Sequence, residues 1–247
     1  MVAALVDTLY VKLELQHYFQ ANGYRGCVST SGARGPYAKT AATRQRILEA
    51  CIEAFAESGF HGTTMKDIAV RAGISYTGLL HHFPKKEDLL QAVLDYRADR
   101  DHEFLDSIGA LDWETDPLGV FRGMLAVIHD NVHRPGLLEL HTVVSGEAAS
   151  PEHPAHAHYI EHYRNLREFY RLAYESLARL GLLHSDSSPE ALATQTIALI
   201  NGLQAQWLFD RTSVDMERDF RAFLNTVIPG FDVLAARQSP EPQATTA

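Results

Sequence analysis

From Thr40 onward, apolar residues return every three to four positions, the spacing of helices with one buried face. Ile47, Leu48, Cys51, Ile52, Phe55 and Ala56 form the first such stripe, and Gly59 supplies its stop. Two short helices are predicted at about 64–71 and 75–82, ahead of Pro84. Leu89, Leu90, Val93 and Leu94 open a longer helix that continues past Asp101. Another is predicted from Asp116 or Pro117 to His133, with the proline well placed at a helix start and Pro135-Gly136 closing it. Leu137, Leu138, Leu140 and Val144 mark a further one. The most regular stripe is Tyr163, Leu166, Tyr170, Ala173, Leu177 and Leu180, ending at Gly181. An uncharged helix at 191–209 follows, and then one carrying Met216, Phe220, Phe223, Leu224 and Val227, stopped by Pro229-Gly230. No alternating pattern with hairpin turns competes, so the predicted class is all-α.

Charge divides the chain unevenly. Residues 34–91 carry eight basic side chains against six acidic ones, whereas residues 92–247 carry twelve against twenty-three, and the whole chain of 247 residues stands at −9. A mildly basic segment on a strongly acidic body is the pattern of a polyanion-binding head, not of a protein that coats nucleic acid throughout. Two cysteines, Cys27 and Cys51, give no disulfide framework, and the reducing cytoplasm is the expected compartment. The uncharged stretch between Glu190 and Asp210 is long enough to approach a membrane span. Thr194, Gln195, Thr196, Asn201, Gln204 and Gln206 make it too polar for lipid, so a helix facing protein is expected.

Residues 63–83, TTMKDIAVRAGISYTGLLHHF, carry the most specific signal. Ala69 is small where a second helix must cross over it, Gly73 suits the turn, and Leu79 with Ile68 and Ile74 can plug a small core. Thr63 or Thr64 is expected to cap the first helix and Ser75 the second. This is the pattern of a helix-turn-helix with 75–82 as the helix that enters the major groove. An αα-hairpin that binds nothing shares the small-x3-Gly spacing, but not the caps, plugs and basic rim together. Lys39, Arg44, Lys66, Lys85 and Lys86 can neutralise phosphates on either side, and Tyr76, Thr77 and Gly78 lie at the end of the recognition helix nearest the base edges. Gly78 permits close approach of the backbone to DNA or, equally, close packing of helices.

Residues 39–91 resemble the DNA-binding domain of TetR-family transcriptional regulators. The likeness rests on the Ile47/Phe55 helix, Gly59-Phe60, Thr64, Ile68-Ala69, Ala72-Gly73, Phe83, and Lys86-Glu87 followed by Leu89. The runs from Gly78 to Phe83 (GLLHHF) and from Glu152 to His156 resemble an actinobacterial-looking subgroup. The resemblance implies DNA contacts at Thr64, Lys66, Ser75, Tyr76, Thr77 and Gly78, and phosphate contacts at His82 and Lys86. Leu80 departs from the pattern, standing where the family usually has a tyrosine. Either it turns inward or specificity leans on Tyr76 and Thr77. The implied organisation is an accessory, largely mobile segment (1–36), a three-helix DNA-binding head (37–86), a helical ligand-binding and dimerisation body (87–236) and a disordered tail (237–247). The implied function is a repressor that acts as a homodimer on a palindromic double-stranded operator and is released by a small apolar or amphipathic effector.

In the body, Ala198, Leu199, Gly202, Leu203, Gln206 and Trp207, with Phe220 and Phe223 on the next helix, are the expected dimer interface; intrachain core is the alternative for the same stripe. Phe121, Leu125, His129, His141, Tyr163, Phe169 and Tyr170 are the candidate effector contacts. His158 with His162, and His129 with His133, have a spacing that metal ligands use, but no cysteine or carboxylate completes a site, and neither metal nor cofactor is expected. Two rival classes are a helical enzyme built on His141 and Glu147, and a protein-binding adaptor. No nucleophile elbow, P-loop, dinucleotide fingerprint or HExxH motif supports the enzyme, and Ser145 is expected to bond a helix carbonyl instead.

Overall fold

The computed structural model describes residues 36–238 and the side chains of residues 40–235, which form ten α-helices and, among the described residues, no strand. The expectations for residues 1–35 and for the tail beyond Gln238 lie outside the described residues, as does the side chain of Lys39. Of the described residues, one compact unit holds those up to Phe104 together with Arg134–His162; the other holds Leu105–His133 and those from Tyr163 onward.

In the first unit, α1 (Pro36–Gly62) buries Ile47, Cys51 and Phe55 completely. It breaks at Gly59, whose φ of 68° lies in the left-handed region that glycine enters without strain. Next come α2 (Met65–Arg71) and α3 (Tyr76–His82), then the first nineteen residues of α4 (Lys86–Ser107), and α6 (Pro135–Glu147). Helix α1 packs against α2 and α6, and α2 against α3. Ile68, Leu79, Leu89 and Val93 are fully buried, as their helical spacing requires.

In the second unit lie α5 (Pro117–His133), most of α7 (His156–Arg179), α8 (Pro189–Phe209), α9 (Met216–Val227) and α10 (Phe231–Gln238). Helix α9 packs on α8 and α5, and α10 on α5 and α9. Phe121 sits between Tyr170 and Tyr174, with ring centroids 5.9 and 4.8 Å away, and the Tyr174 hydroxyl lies 2.7 Å from that of Thr196. Of the polar residues of the uncharged helix, Thr196 and Gln204 are buried in protein, Asn201 is half-buried, and Thr194, Gln195 and Gln206 are exposed. No helix among the described residues is long and apolar enough to cross a membrane. Helix α7 begins seven residues before the stripe at Tyr163, and α10 has no counterpart in the predicted elements.

Candidate nucleic-acid interface

Local chemistry fixes the geometry of α2 and α3. Thr64 caps α2 in a reciprocal capping box: its hydroxyl accepts from the Asp67 N–H at 3.2 Å, and Asp67 accepts from the Thr64 N–H at 3.2 Å. Thr63 is buried instead, donating its hydroxyl to the carbonyls of Ala54 and Gly59. Ser75 caps α3 by accepting from the Gly78 N–H at 3.0 Å. Between the helices Gly73 has φ 64°, as the turn was expected to require. Ala69 is buried to 2% exposure under the crossing. Arg71 holds the pair to α1 through two hydrogen bonds to Glu57, and its guanidinium keeps the Glu57 carboxyl below the usual carboxylate range.

The solvent face of this pair contains most of the expected DNA contacts. Ser75, Tyr76 and Thr77 are exposed at the start of α3, Thr64 and Lys66 at the start of α2, and Lys85 just beyond α3. Tyr76 is 43% exposed, far more than an aromatic side chain needs for packing. Gly78 and Leu80 are half-buried, as is His82. A β-carbon on Gly78 would crowd only the Ser75 hydroxyl, at 3.1 Å, so its lack of one leaves the cap room. Arg44 is exposed, with its guanidinium 4.5 Å from the centre of the Phe83 ring.

Lys86 has partners within its own chain. Its ammonium donates to the carbonyls of Phe60 at 2.8 Å and Thr63 at 2.9 Å, and lies over the Phe60 ring. These carbonyls are orphaned at the end of α1, so a lysine that looked available for phosphate serves as the cap of another helix. Opposite it, the carboxylate of Glu147, at the end of α6, accepts from the Phe60 N–H at 2.7 Å. His153, whose side chain is fully buried, places Nε2 3.7 Å from that carboxylate and accepts from the Ala155 N–H at Nδ1. Burial lowers the His153 pKa, which keeps the ring neutral. No local motif marks this joint, since Phe60 and Glu147 are 87 residues apart.

The body candidates fall into separate groups. Phe121, Leu125, Phe169 and Tyr170 are buried in the second unit, and Tyr163 accepts from the Asn201 amide at 3.0 Å there. His129 does not join them; it is exposed, with Nδ1 3.6 Å from Glu217. His141 is buried in the first unit, where its Nδ1 faces Arg97. His141 and Glu147 thus serve different contacts, and Ser145 bonds the Thr142 carbonyl as expected. Of the expected interface, Leu203, Trp207 and Phe220 are buried within their own chain, where the core reading of the stripe holds. Ala198 and Gln206 are exposed, and Leu199, Gly202 and Phe223 half-buried. No group of three or more His, Cys, Asp or Glu among the described residues is arranged to hold a metal ion.

A capped helix pair with a left-handed glycine turn and an exposed aromatic at the head of its second helix defines a helix-turn-helix DNA-binding protein. A family model for bacterial regulatory proteins of the tetR family matches residues 47–93, and one for the C-terminal part of BetI-type transcriptional repressors matches residues 122–229. The chain belongs to the TetR family of transcriptional regulators. It is 27% identical over 205 residues to the HTH-type transcriptional regulator TtgR of Pseudomonas putida, covering 80% of this chain and 93% of that one. It is 44% identical over 70 residues to the Escherichia coli regulator RutR, covering 28% of this chain and 32% of that protein. The fold is also that of SmeT, the repressor of a Stenotrophomonas maltophilia multidrug efflux pump, with a TM-score of 0.61 at 20% identity over 76% of this chain and 92% of that chain. A SmeT–triclosan complex superposes with a TM-score of 0.62 at 21% identity, over 77% and 94% of the two chains. The protein is a DNA-binding transcriptional regulator.

Proposed function

We propose that this regulator is a cytoplasmic repressor that binds a palindromic operator as a homodimer and is released by a small molecule. The observation that carries the DNA part is the exposure of Ser75, Tyr76 and Thr77 at the head of α3, between Lys66 and Lys85. Tyr76 and Thr77 reach base edges, Gly78 lets the helix start approach closely, and Thr64, Lys66, Ser75 and His82 contact the backbone, joined by Lys39 and Arg44 from the first turns of α1. Lys85, also exposed, contacts a phosphate as the sequence suggests, whereas the ammonium of Lys86 is engaged by the carbonyls of Phe60 and Thr63. One such helix reads few base pairs, and a twofold partner doubles the site.

For the partner we assign the outer face of α8, where Ala198, Gly202 and Gln206 are followed at helical spacing by Phe209, which is 93% exposed. Gly202 has open space where a β-carbon would be, so a second helix can approach it. Functionally the chain divides into a head (37–86) and a ligand-binding and dimerisation body (87–236). The complex of SmeT with triclosan supports reading the body as a receptor for a small molecule.

Selection of duplexes from a randomised pool by the full chain tests the proposal. Enrichment of an inverted repeat with half-sites about one helical turn apart, roughly 34–36 Å, is the expected result. An enriched half-site without its mirror image removes the dimer, and a pool that is not enriched at all removes the operator.

A further inference from the structure

Arg97, in the middle of α4, belongs to none of the expected sites, yet its surroundings are unusual for a cation. Its side chain is only 18% exposed. Among the described residues its guanidinium makes one hydrogen bond, from Nη1 to Nδ1 of His141 at 3.1 Å. The neighbouring acid, Asp101, stands 3.9 Å from Nη2, beyond hydrogen-bond range, and is also 3.8 Å from Arg100. Four of the five guanidinium N–H groups therefore have no hydrogen-bond acceptor from the described residues.

The walls are rings. Tyr159 brings its hydroxyl to 3.4 Å from His141 Nδ1. His158 and His162 lie parallel to each other on α7, and the His162 ring is 6.1 Å from that of His141. Burial first, and then the Arg97 charge, press the His158 pKa down to about 4 and that of His162 to about 3, so both are neutral at neutral pH. Arg97 and Arg100 share the single carboxylate of Asp101, so the cluster keeps an excess of positive charge beside the neutral rings of His158 and His162. A planar fork of donors in such a setting matches a carboxylate, which accepts two parallel bonds.

We infer that Arg97, walled by His141, His158, Tyr159 and His162, anchors the carboxylate of a small organic acid, and that this acid is the effector. The inference rests on the reading of the protein as ligand-released. It gains from where the walls lead. Arg97 is on the helix that begins at Lys86, and His141 is on the helix that ends at Glu147. These are the two side chains that grip the main chain of Phe60 at the end of α1. An anion drawn between α4 and α6 acts on both grips, and hence on the helix on which α2 packs.

The test uses the full chain and its selected duplex. Benzoate, salicylate, phenylacetate and octanoate are each compared with the matching primary amide, by thermal shift and by release of the duplex. The expected result is that at least one acid raises the melting temperature and releases DNA while its amide does neither. Arg97→Met should weaken that acid by about thirtyfold or more, as truncating one partner of a hydrogen-bonded charge pair does, and Arg97→Lys should restore part of the loss. The urea midpoint and the ligand-free DNA affinity of both variants show that they fold. Amides that act as well as acids, an acid that ignores Arg97→Met, or no acid that binds would each overturn the inference. An acid held through Arg97 that leaves DNA affinity unchanged would overturn the release reading and keep the site. A neutral compound that releases DNA from wild type and Arg97→Met alike does the reverse.

Discussion

Glu147 occupies the space that a β-carbon on Gly59 would need, and from there its carboxylate accepts the N–H of Phe60 at 2.7 Å. The missing side chain of one residue is therefore the seat of another. Gly73 has a similar φ, 64° against 68°, but nothing lies within 4 Å of its β position.

The two glycines make a matched pair. Gly73→Ala should cost only the left-handed conformation, about 1–2 kcal/mol. Gly59→Ala should add the displacement of Glu147 and the loss of a hydrogen bond to a charged group, about 1.5–3 kcal/mol more. Urea denaturation of both variants measures the difference. Glu147→Ala should cost less in the Gly59→Ala background than in the wild type, and equal costs would mean that the two residues act independently.

Lysines around the DNA face should separate by function. Lys66→Ala and Lys85→Ala should each lower the slope of log affinity against log salt by about 0.9, the counterion release of one phosphate contact. Lys86→Ala should leave that slope unchanged and lower the urea midpoint, because its ammonium caps the carbonyls of Phe60 and Thr63. A flattened slope for Lys86→Ala would return it to the phosphates.

Tyr76→Ala should change which base is preferred at one position of each half-site, at a cost of about 1–3 kcal/mol on the best duplex. Repeating the selection with the variant measures it. Equal loss on every duplex would show that Tyr76 contacts the backbone only.

Acid should weaken the fold through His158 and His162. Their folded pKa values, about 4 and about 3, lie below the ordinary 6.5, so below pH 6.5 the unfolded chain binds more protons and stability falls with pH. Each contributes a slope approaching about 1.4 kcal/mol per pH unit until its folded pKa is reached. Replacing both with glutamine should flatten the urea midpoint between pH 6.5 and 5, a range above most carboxylate titrations. A profile as steep as that of the wild type would mean that these rings already charge at mild pH.

Phe209→Asp should shift the sedimentation of the protein from dimer to monomer while leaving its helical content intact. Trp207→Ala, two positions earlier but buried, should lower the urea midpoint instead, by about 3–5 kcal/mol of stability. If Phe209→Asp sediments as a dimer, the outer face of α8 is not the interface.

What the sequence revealed depended on distance along the chain. The turn at Gly73, the caps at Thr64 and Ser75 and the plugs at Ile68 and Leu79 act within a few residues, so their pattern was legible. The capping contacts of Lys86 were not legible because they lie 23 and 26 residues back, where the end of α1 offers carbonyls that no motif announces. From Ala191 onward helix α8 is uncharged on every side, so spacing did not distinguish Trp207, which is buried, from Gln206, which is exposed. Arg97 was overlooked because a lone arginine in a charged helix looks solvated until the rings of α6 and α7 close around it. Helix α10 covers only eight residues after Pro229-Gly230, too few for a period to show.

Lys86 and Glu147 hold Phe60 by its carbonyl and its N–H, atoms that every residue type except proline supplies. The ring adds contact with the ammonium, but neither main-chain hydrogen bond depends on it. The ring is itself buried against Phe55 and His153, so a smaller residue at 60 would keep both hydrogen bonds and lose core packing, whereas adding or deleting a single residue between 59 and 63 would shift both handholds at once. Length, as well as identity, is what this corner of the molecule must conserve.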